Sequence, residues 1–277
     1  MAHQSNPFIK QLASSDRKLR TSALASLRQY LSSHHSAPLS QLDLLKLWKA
    51  LFYCLYMQDK PLHQQRLAQD LADLTDVLLL KSGKNTEEDG GMLLGWFEAF
   101  WLTMAREWSG IDGLRMDKYL YLVRCYIRKG FEVCAAQQGW GSEGFLDSYL
   151  GVLRRGPLSP RDAKVPDGLR YHVLDIYVDE LEKADAQHAA PIEVVLEPVR
   201  LLGRETVSKA VRKRVKEALE DERLREREGM EGMGVDGKGE ATAGVENGSR
   251  GEAAATESGG MGADVDDDND EFGGFDD

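Results

Sequence analysis

The chain has 277 residues, 42% of them hydrophobic, and a formal net charge of −11 at pH 7. That is enough apolar material for one large domain or two small ones. The acidity sits at one end: residues 229–277 hold 14 of the 46 acidic and 2 of the 35 basic residues, which leaves residues 1–228 with 32 acids and 33 bases. An acidic overall balance therefore does not exclude a nucleic-acid-rich setting for the body of the chain.

The opening "MAHQSNPFIK" has no apolar h-region, so no secretory signal is expected. Ser14 or Ser15 is expected to cap a first helix carrying Leu19, Ala23, Leu24, Leu27, Tyr30 and Leu31. Ser40, with Asp43 three residues on, reads as the cap of a second. In "LLKLWKALFYCLYMQDKP", Leu42, Leu45, Trp48, Phe52, Leu55 and Tyr56 recur at helical spacing, and Leu44, Leu47 and Leu51 widen the stripe. A helix apolar over so much of its circumference is expected between neighbours. Lys46, Lys49, Asp59 and Lys60 interrupt the run, which falls short of the roughly 18–20 uncharged apolar residues of a membrane span.

Asp59 is expected to cap the next helix, with Pro61 in its first turn, where a missing N–H costs nothing. Leu67, Leu71, Leu74 and Leu78 follow, then "KSGKNTEEDGG" as a polar loop. Met92 to Trp108 is another nearly all-round apolar helix. Asp112 is the expected cap of one bearing Leu114, Tyr119, Leu122, Val123, Tyr126 and Ile127, and Ser142 of one ending near Arg155. "RGPLSPRDAKVPDG" reads as a Pro/Gly hinge, and Leu169–Leu181 and Ile192–Leu202 as further helices. No segment alternates strictly, so the fold class expected is all-α: a HEAT-like α-solenoid, with helix pairs about every 40 residues, or an irregular helical bundle.

Residues 1–203 form the expected scaffold domain, residues 204–228 a charged helix, and residues 229–277 a tail. The tail holds 13 of the 27 glycines and only two aromatic residues, Phe272 and Phe275. Such a segment cannot offset an ordering entropy of about 1–2 kcal/mol per residue, and disorder is expected. Gly232, Gly234 and Gly237 match G-x-G-x-x-G by letter, with no strand before them and no helix after. Asp264, Asp266 and Asp268 start like a calcium loop, but Asn269 and Phe275 stand where Gly and a bidentate Glu are needed.

Catalytic signatures are missing from the letters. The six histidines form no H-x-x-x-H pair, and no nucleophile elbow or phosphate loop occurs. Asp175 and Asp179 share a helix face at a spacing ordinary for solvated carboxylates, and His172 beside Val173 reads as a packed histidine. The three cysteines, Cys54, Cys125 and Cys134, have no C-x-x-C spacing; they fit a reducing compartment and small buried side chains rather than zinc. No enzyme activity, cofactor, metal or small-molecule substrate is expected.

The segment from about Glu205 to Glu228 is the one binding-like element. Lys209, Arg212, Lys213, Arg214 and Lys216 could face phosphates, while Val207, Val211, Val215 and Leu219 keep a stripe able to dock. The plain alternative is an exposed helix laced by i,i+4 charge pairs.

Three blocks, "LLKLWKALFYCLYMQDKP", "FWLTMAREWSGIDGLRMDKYLYLVRCYIRKGFE" and "VPDGLRYHVLDIYVDEL", together with "NPFIKQLASSDRKLRTSALASLRQYL", closely resemble the eukaryotic nucleolar ribosomal RNA processing protein 1 family. The resemblance runs from about Asn6 to Lys183 and is to the short, fungal-type members. It implies a helical, HEAT-like nucleolar scaffold without a catalytic site. Such a scaffold acts in assembly of the large (60S) ribosomal subunit precursor and in pre-rRNA maturation around the second internal transcribed spacer. The implied partners are other pre-60S assembly factors, ribosomal proteins and pre-rRNA, with no membrane. At the "REWSGID" corner, Arg106, Glu107, Asp117 and Lys118 are further candidate contacts, with salt bridges across helix corners as their alternative. A generic HEAT-type adaptor or transport factor, and a metal-dependent nuclease, are the competing classes; the nuclease would need converging carboxylates.

Overall fold

A computed structural model describes residues 7–33, 39–82, 87–136, 140 and 144–227. The predicted acidic tail and the Ser142 cap lie outside the described residues. Twelve helices are assigned among the described residues, and no strand. They are α1 (Pro7–Leu12), α2 (Arg17–Ser32), α3 (Gln41–Tyr56), α4 (Pro61–Ala72), α5 (Leu74–Ser82) and α6 (Glu87–Glu107). After a 3₁₀ turn at Trp108–Gly110 come α7 (Met116–Ala136), α8 (Phe145–Arg155), α9 (Asp167–Ala184), α10 (Ile192–Val195), α11 (Glu197–Glu205) and α12 (Lys209–Leu219).

The helices stack in two rows. In one, α3 packs on α6, α6 on α8 and α8 on α11; in the other, α4 packs on α7, α7 on α9 and α9 on α12. The two rows also touch each other, α3 with α4, α7 with α8, and α11 with α12. This is the all-α, solenoid-like arrangement that the capped helical runs predict. The first-row helices begin at Gln41, Glu87, Phe145 and Glu197, so the repeat is longer and less regular than the expected 40 residues. The inserted α5, which packs on α2 and α6, accounts for part of the difference.

The core is aromatic where α3, α6 and α7 meet. Trp48 lies 4.9 Å from Trp96 and 5.0 Å from Phe100, and Phe100 stacks on Tyr126 at 3.9 Å between ring centroids. Offset and tilted rings suit the ring quadrupole and add to the area buried. The Tyr126 hydroxyl accepts from Trp96 Nε1 at 3.2 Å and donates to the Leu71 carbonyl at 2.8 Å. Trp48 and Phe52 are fully inside, as their spacing predicts, while Tyr56 is only half-buried and Leu42 is exposed.

Several boundaries differ from the sequence reading for local reasons. Asp16, not Ser14 or Ser15, caps α2, its carboxylate accepting from the Lys18 N–H at 2.8 Å. Ser40 caps α3 as expected. Lys60, not Asp59, holds the cap position of α4; Pro61 begins the helix and no side chain caps it. The run through Leu67 and Leu78 breaks at Asp73 into α4 and α5. Part of the expected polar loop is helical: α6 begins at Glu87. Asp112 does not cap α7. Its carboxylate accepts from Arg115 at 2.6 Å and from the Tyr56 hydroxyl at 3.3 Å, and Leu114, in the turn, is 97% exposed. Gly144 occupies the cap of α8 at φ 113°, a conformation open to glycine and costly for other residues.

The Pro/Gly segment before α9 is irregular in backbone, but it is fastened. Buried Arg170 donates to the carbonyls of Ser159 at 2.9 Å and Asp162 at 2.7 Å, and to that of Val165. A hinge would leave those carbonyls to water; here one guanidinium ties three of them to α9.

Candidate functional site

The basic helix comes first. Ser208 caps α12, accepting from the Val211 N–H at 3.4 Å. The helix ends at Leu219 rather than running on to Glu228; a turn intervenes and residues 222–227 are helical again. Val211 and Val215 are buried against the body, where α12 meets α9 and α11, so the apolar stripe is used within the chain. Val207, before the cap, is 91% exposed and takes no part. Gly203 on α11 makes room for this docking: a Cβ there would lie 2.7 Å from Val215 Cγ1.

The five predicted cations are not equivalent. Arg214 bonds Asp175 at 2.8 Å and lies 5.7 Å from the Tyr171 ring, so it fastens α12 to α9. Lys213 and Lys216 stand 3.6 Å from Glu217 and Glu220, four residues on, in the lacing of an exposed helix. Arg212 donates to the Thr206 carbonyl at 2.5 Å. Lys209 is exposed without an ion pair among the described residues.

At the "REWSGID" corner the candidates separate. Arg106 is exposed at one edge and binds its neighbour Glu107 at 2.7 Å, with Lys49 3.8 Å from the same carboxylate. Asp117 lies in the first turn of α7. Lys118 is a correction: it is 4% exposed, and its amine donates to the carbonyls of Tyr56 at 2.7 Å and Gln58 at 2.8 Å. Burial, with Arg115 alongside, lowers that amine to about 8. Two of its donors serve the end of α3, which removes it from any contact surface.

The carboxylates of α9 are engaged by cations. Asp179 bonds Arg124 and Arg223, and Asp175 bonds Arg214. Glu180, fully buried, accepts from Arg124 and Arg128 at 2.6 Å each and from Lys183 at 2.8 Å. Among the described residues no three His, Cys, Asp or Glu side chains converge as metal ligands. His172 Nε2 faces the Leu120 carbonyl at 2.8 Å, the packed role its neighbours predict. The three cysteines are buried thiols, and burial raises Cys54 and Cys125 to about 11. No described helix is long and apolar enough to cross a membrane.

One cation cluster was missed. A cleft of about 250 Å³ between α2 and α4 is lined by Arg17, Arg20, His63, Arg66 and Asp70, and the charge of nearby Lys60 also acts on His63. Arg20 is committed to the carbonyls of Ser14, Ser15 and Met57. Arg17, Lys60 and Arg66 are exposed and form no ion pair among the described residues. Arg17, with a little burial and the fields of Lys60 and Arg66, holds the His63 imidazole below its usual value. The sequence signal was faint, because Arg17 and Arg66 stand 49 positions apart.

The described residues define an all-α protein of stacked helices with paired surface carboxylates and outward cations. Comparison with known proteins agrees with the resemblance of its sequence blocks. The chain belongs to the nucleolar protein Nop52 family, whose profile matches residues 3–261. It is 40% identical over 179 residues to ribosomal RNA processing protein 1 homolog B of Homo sapiens, covering 64% of this chain and 22% of that protein. Homolog A of Homo sapiens is 34% identical over 181 residues, covering 64% of the chain and 37% of that protein. The Drosophila melanogaster homolog is 33% identical over 199 residues, 69% of the chain and 27% of that protein. The chain thus spans well under half the length of these relatives.

Proposed function

We propose that this chain acts in ribosomal RNA processing and ribosome biogenesis, in the nucleolus, as a non-enzymatic scaffold of the large-subunit precursor. The observation that carries this reading is the match of its helical body to proteins named for ribosomal RNA processing. The finer role is in maturation of pre-rRNA around the second internal transcribed spacer, among other pre-60S assembly factors and ribosomal proteins. The two-row helical body supports such a role, since stacked helix pairs offer long faces to several partners at once. The exposed α12 cations Lys209, Arg212, Lys213 and Lys216, and Arg106 at the helix corner, are its candidate contacts, with Arg214, Glu107 and Asp117 positioned beside them.

Affinity purification of the tagged full chain from nuclear extract is the test. Large-subunit precursors carrying spacer-containing pre-rRNA should dominate the eluate. Recovery of cargo receptors in their place would sink the reading in favour of a transport adaptor. Spacer RNA cleavage by the pure protein, lost on substitution of its carboxylates, would establish a nuclease.

A further inference from the structure

We propose that the cleft between α2 and α4 seats backbone phosphates of RNA, with Arg17, Lys60 and Arg66 as the binding cations. This rests on the reading of the chain as a ribosomal RNA processing factor, and it places RNA on a face the basic helix α12 does not share.

The first reason is a contrast in how cations are used. On α12, Arg214 is tied to Asp175, Lys213 and Lys216 are opposed by Glu217 and Glu220, and the charge is largely spent inside the protein. At the cleft, Arg17 of α2 and Arg66 of α4, with Lys60 at the cap of α4, form no ion pair among the described residues, although Asp70 also lines the cleft. Sequence spacing would pair Arg66 with Asp70 at i,i+4, yet the charges acting on the Asp70 carboxyl are those of Arg28 and Asp73. Exposed cations gathered without ion pairs cost self-repulsion, and the depressed His63 imidazole reports their positive potential from a third position.

The second reason is geometry. Two guanidinium forks on opposite walls of a narrow cleft match the paired oxygens of phosphate, which arginine binds bidentately. Arg20, beneath them, is buried and holds the Ser14, Ser15 and Met57 carbonyls. It joins the turn before α2 to the end of α3, so the walls are fixed before a ligand arrives. Beside the cations the lining carries Leu24, Cys54 and Leu67, with Asp70 as its one carboxylate. An RNA processing factor meets a phosphate at every nucleotide, and that group suits two arginines at one cleft.

The test uses the full chain with Arg17→Gln, Lys60→Gln and Arg66→Gln combined, beside Lys209→Gln, Lys213→Gln and Lys216→Gln combined. Affinity for a pre-rRNA fragment is read by fluorescence anisotropy across a salt series, with melting measured for each variant. Loss of three phosphate contacts should flatten the slope of log K against log salt by about 2. The α12 variant should flatten it less, and both should melt as the parent does. Arg17→Lys with Arg66→Lys keeps the charges, so it should keep the slope while binding more weakly. An unchanged slope in the cleft variant would overturn the assignment, as would an acidic peptide displacing RNA while phosphate at equal ionic strength does not. A full chain that sediments with large-subunit precursors while its cleft variant binds RNA normally removes the cleft alone. A full chain that never meets those precursors removes the functional reading and the cleft with it.

Discussion

The Lys118 amine donates to the carbonyls of Tyr56 and Gln58, at 2.7 and 2.8 Å, and so closes the C-terminal end of α3 from α7. Arg20, from α2, reaches the Met57 carbonyl between them at 3.2 Å. The last carbonyls of a helix lack intrahelical donors and carry the negative end of its dipole, so two cations are a favourable answer to both needs. They also lock three helices together at one corner.

Lys118→Met keeps the aliphatic stem and removes the donors. Leaving two inward carbonyls without partners should cost about 2–6 kcal/mol, at about 1–3 for each group left unsatisfied. Urea denaturation measures it. Combined with Arg20→Met the loss should be less than additive, because both cations serve one helix end. A variant as stable as the parent would mean that water replaces the lysine there.

Glu180 is a buried carboxylate held by Arg124, Arg128 and Lys183, and it joins α7 to α9. Glu180→Gln leaves cations facing each other over a neutral amide and should cost on the order of 3–5 kcal/mol. Chemical denaturation of the pure chain reads this directly. A change near zero would show that the two arginines simply turn to solvent, to which both are partly open.

Gly130 lies inside α7, where alanine would ordinarily be favoured by about 1 kcal/mol. A Cβ at that position would stand 1.9 Å from the hydroxyl of buried Tyr149 on α8. Gly130→Ala should therefore destabilise by about 1–3 kcal/mol, the usual cost of overpacking. Truncating Tyr149 to Ala should be milder in that background than in the parent, and equal costs in both would deny the contact.

His172 sets a pH dependence. Burial, the largest influence on it, lowers its imidazole below the ordinary value of 6.5. Between the folded and unfolded values the unfolded chain binds the extra proton, so stability rises with pH there. His172 should thus contribute fully above about pH 6.5, and its contribution should fade as acid titrates it through its lowered value. His172→Gln can still donate to the Leu120 carbonyl and does not titrate. Its melting temperature should fall less steeply on acidification than the parent's, and parallel curves would assign the acid loss elsewhere.

Much of the fold was written locally. The 3.6-residue recurrence through Trp48, Phe52 and Leu55, the Ser40 cap and the Pro61 start are properties of a few neighbouring residues, and each survives in the structure. Boundaries missed by a few residues trace to competition between adjacent polar groups: Asp16 outbids Ser14 and Ser15 for the start of α2, and Arg115 and Tyr56 claim Asp112 before α7 can use it. The three quoted sequence blocks also sufficed for the family, because they preserve the order of the core helices.

What the tertiary structure alone decided is where each charge ends. Lys118 and Arg170 look like surface cations in the sequence, yet both are buried and serve backbone carbonyls. The α12 run looks like a binding patch, yet Arg214 is bound to Asp175 at a separation of 39 positions. Arg17 and Arg66 are far apart in the sequence, yet the packing of the helices sets them on one cleft with no ion pair on either among the described residues. Apolar periodicity acts over one or two turns and is legible from letters. A charge acts on whatever the fold brings within a few ångströms, and that distance exists only once the helices have stacked.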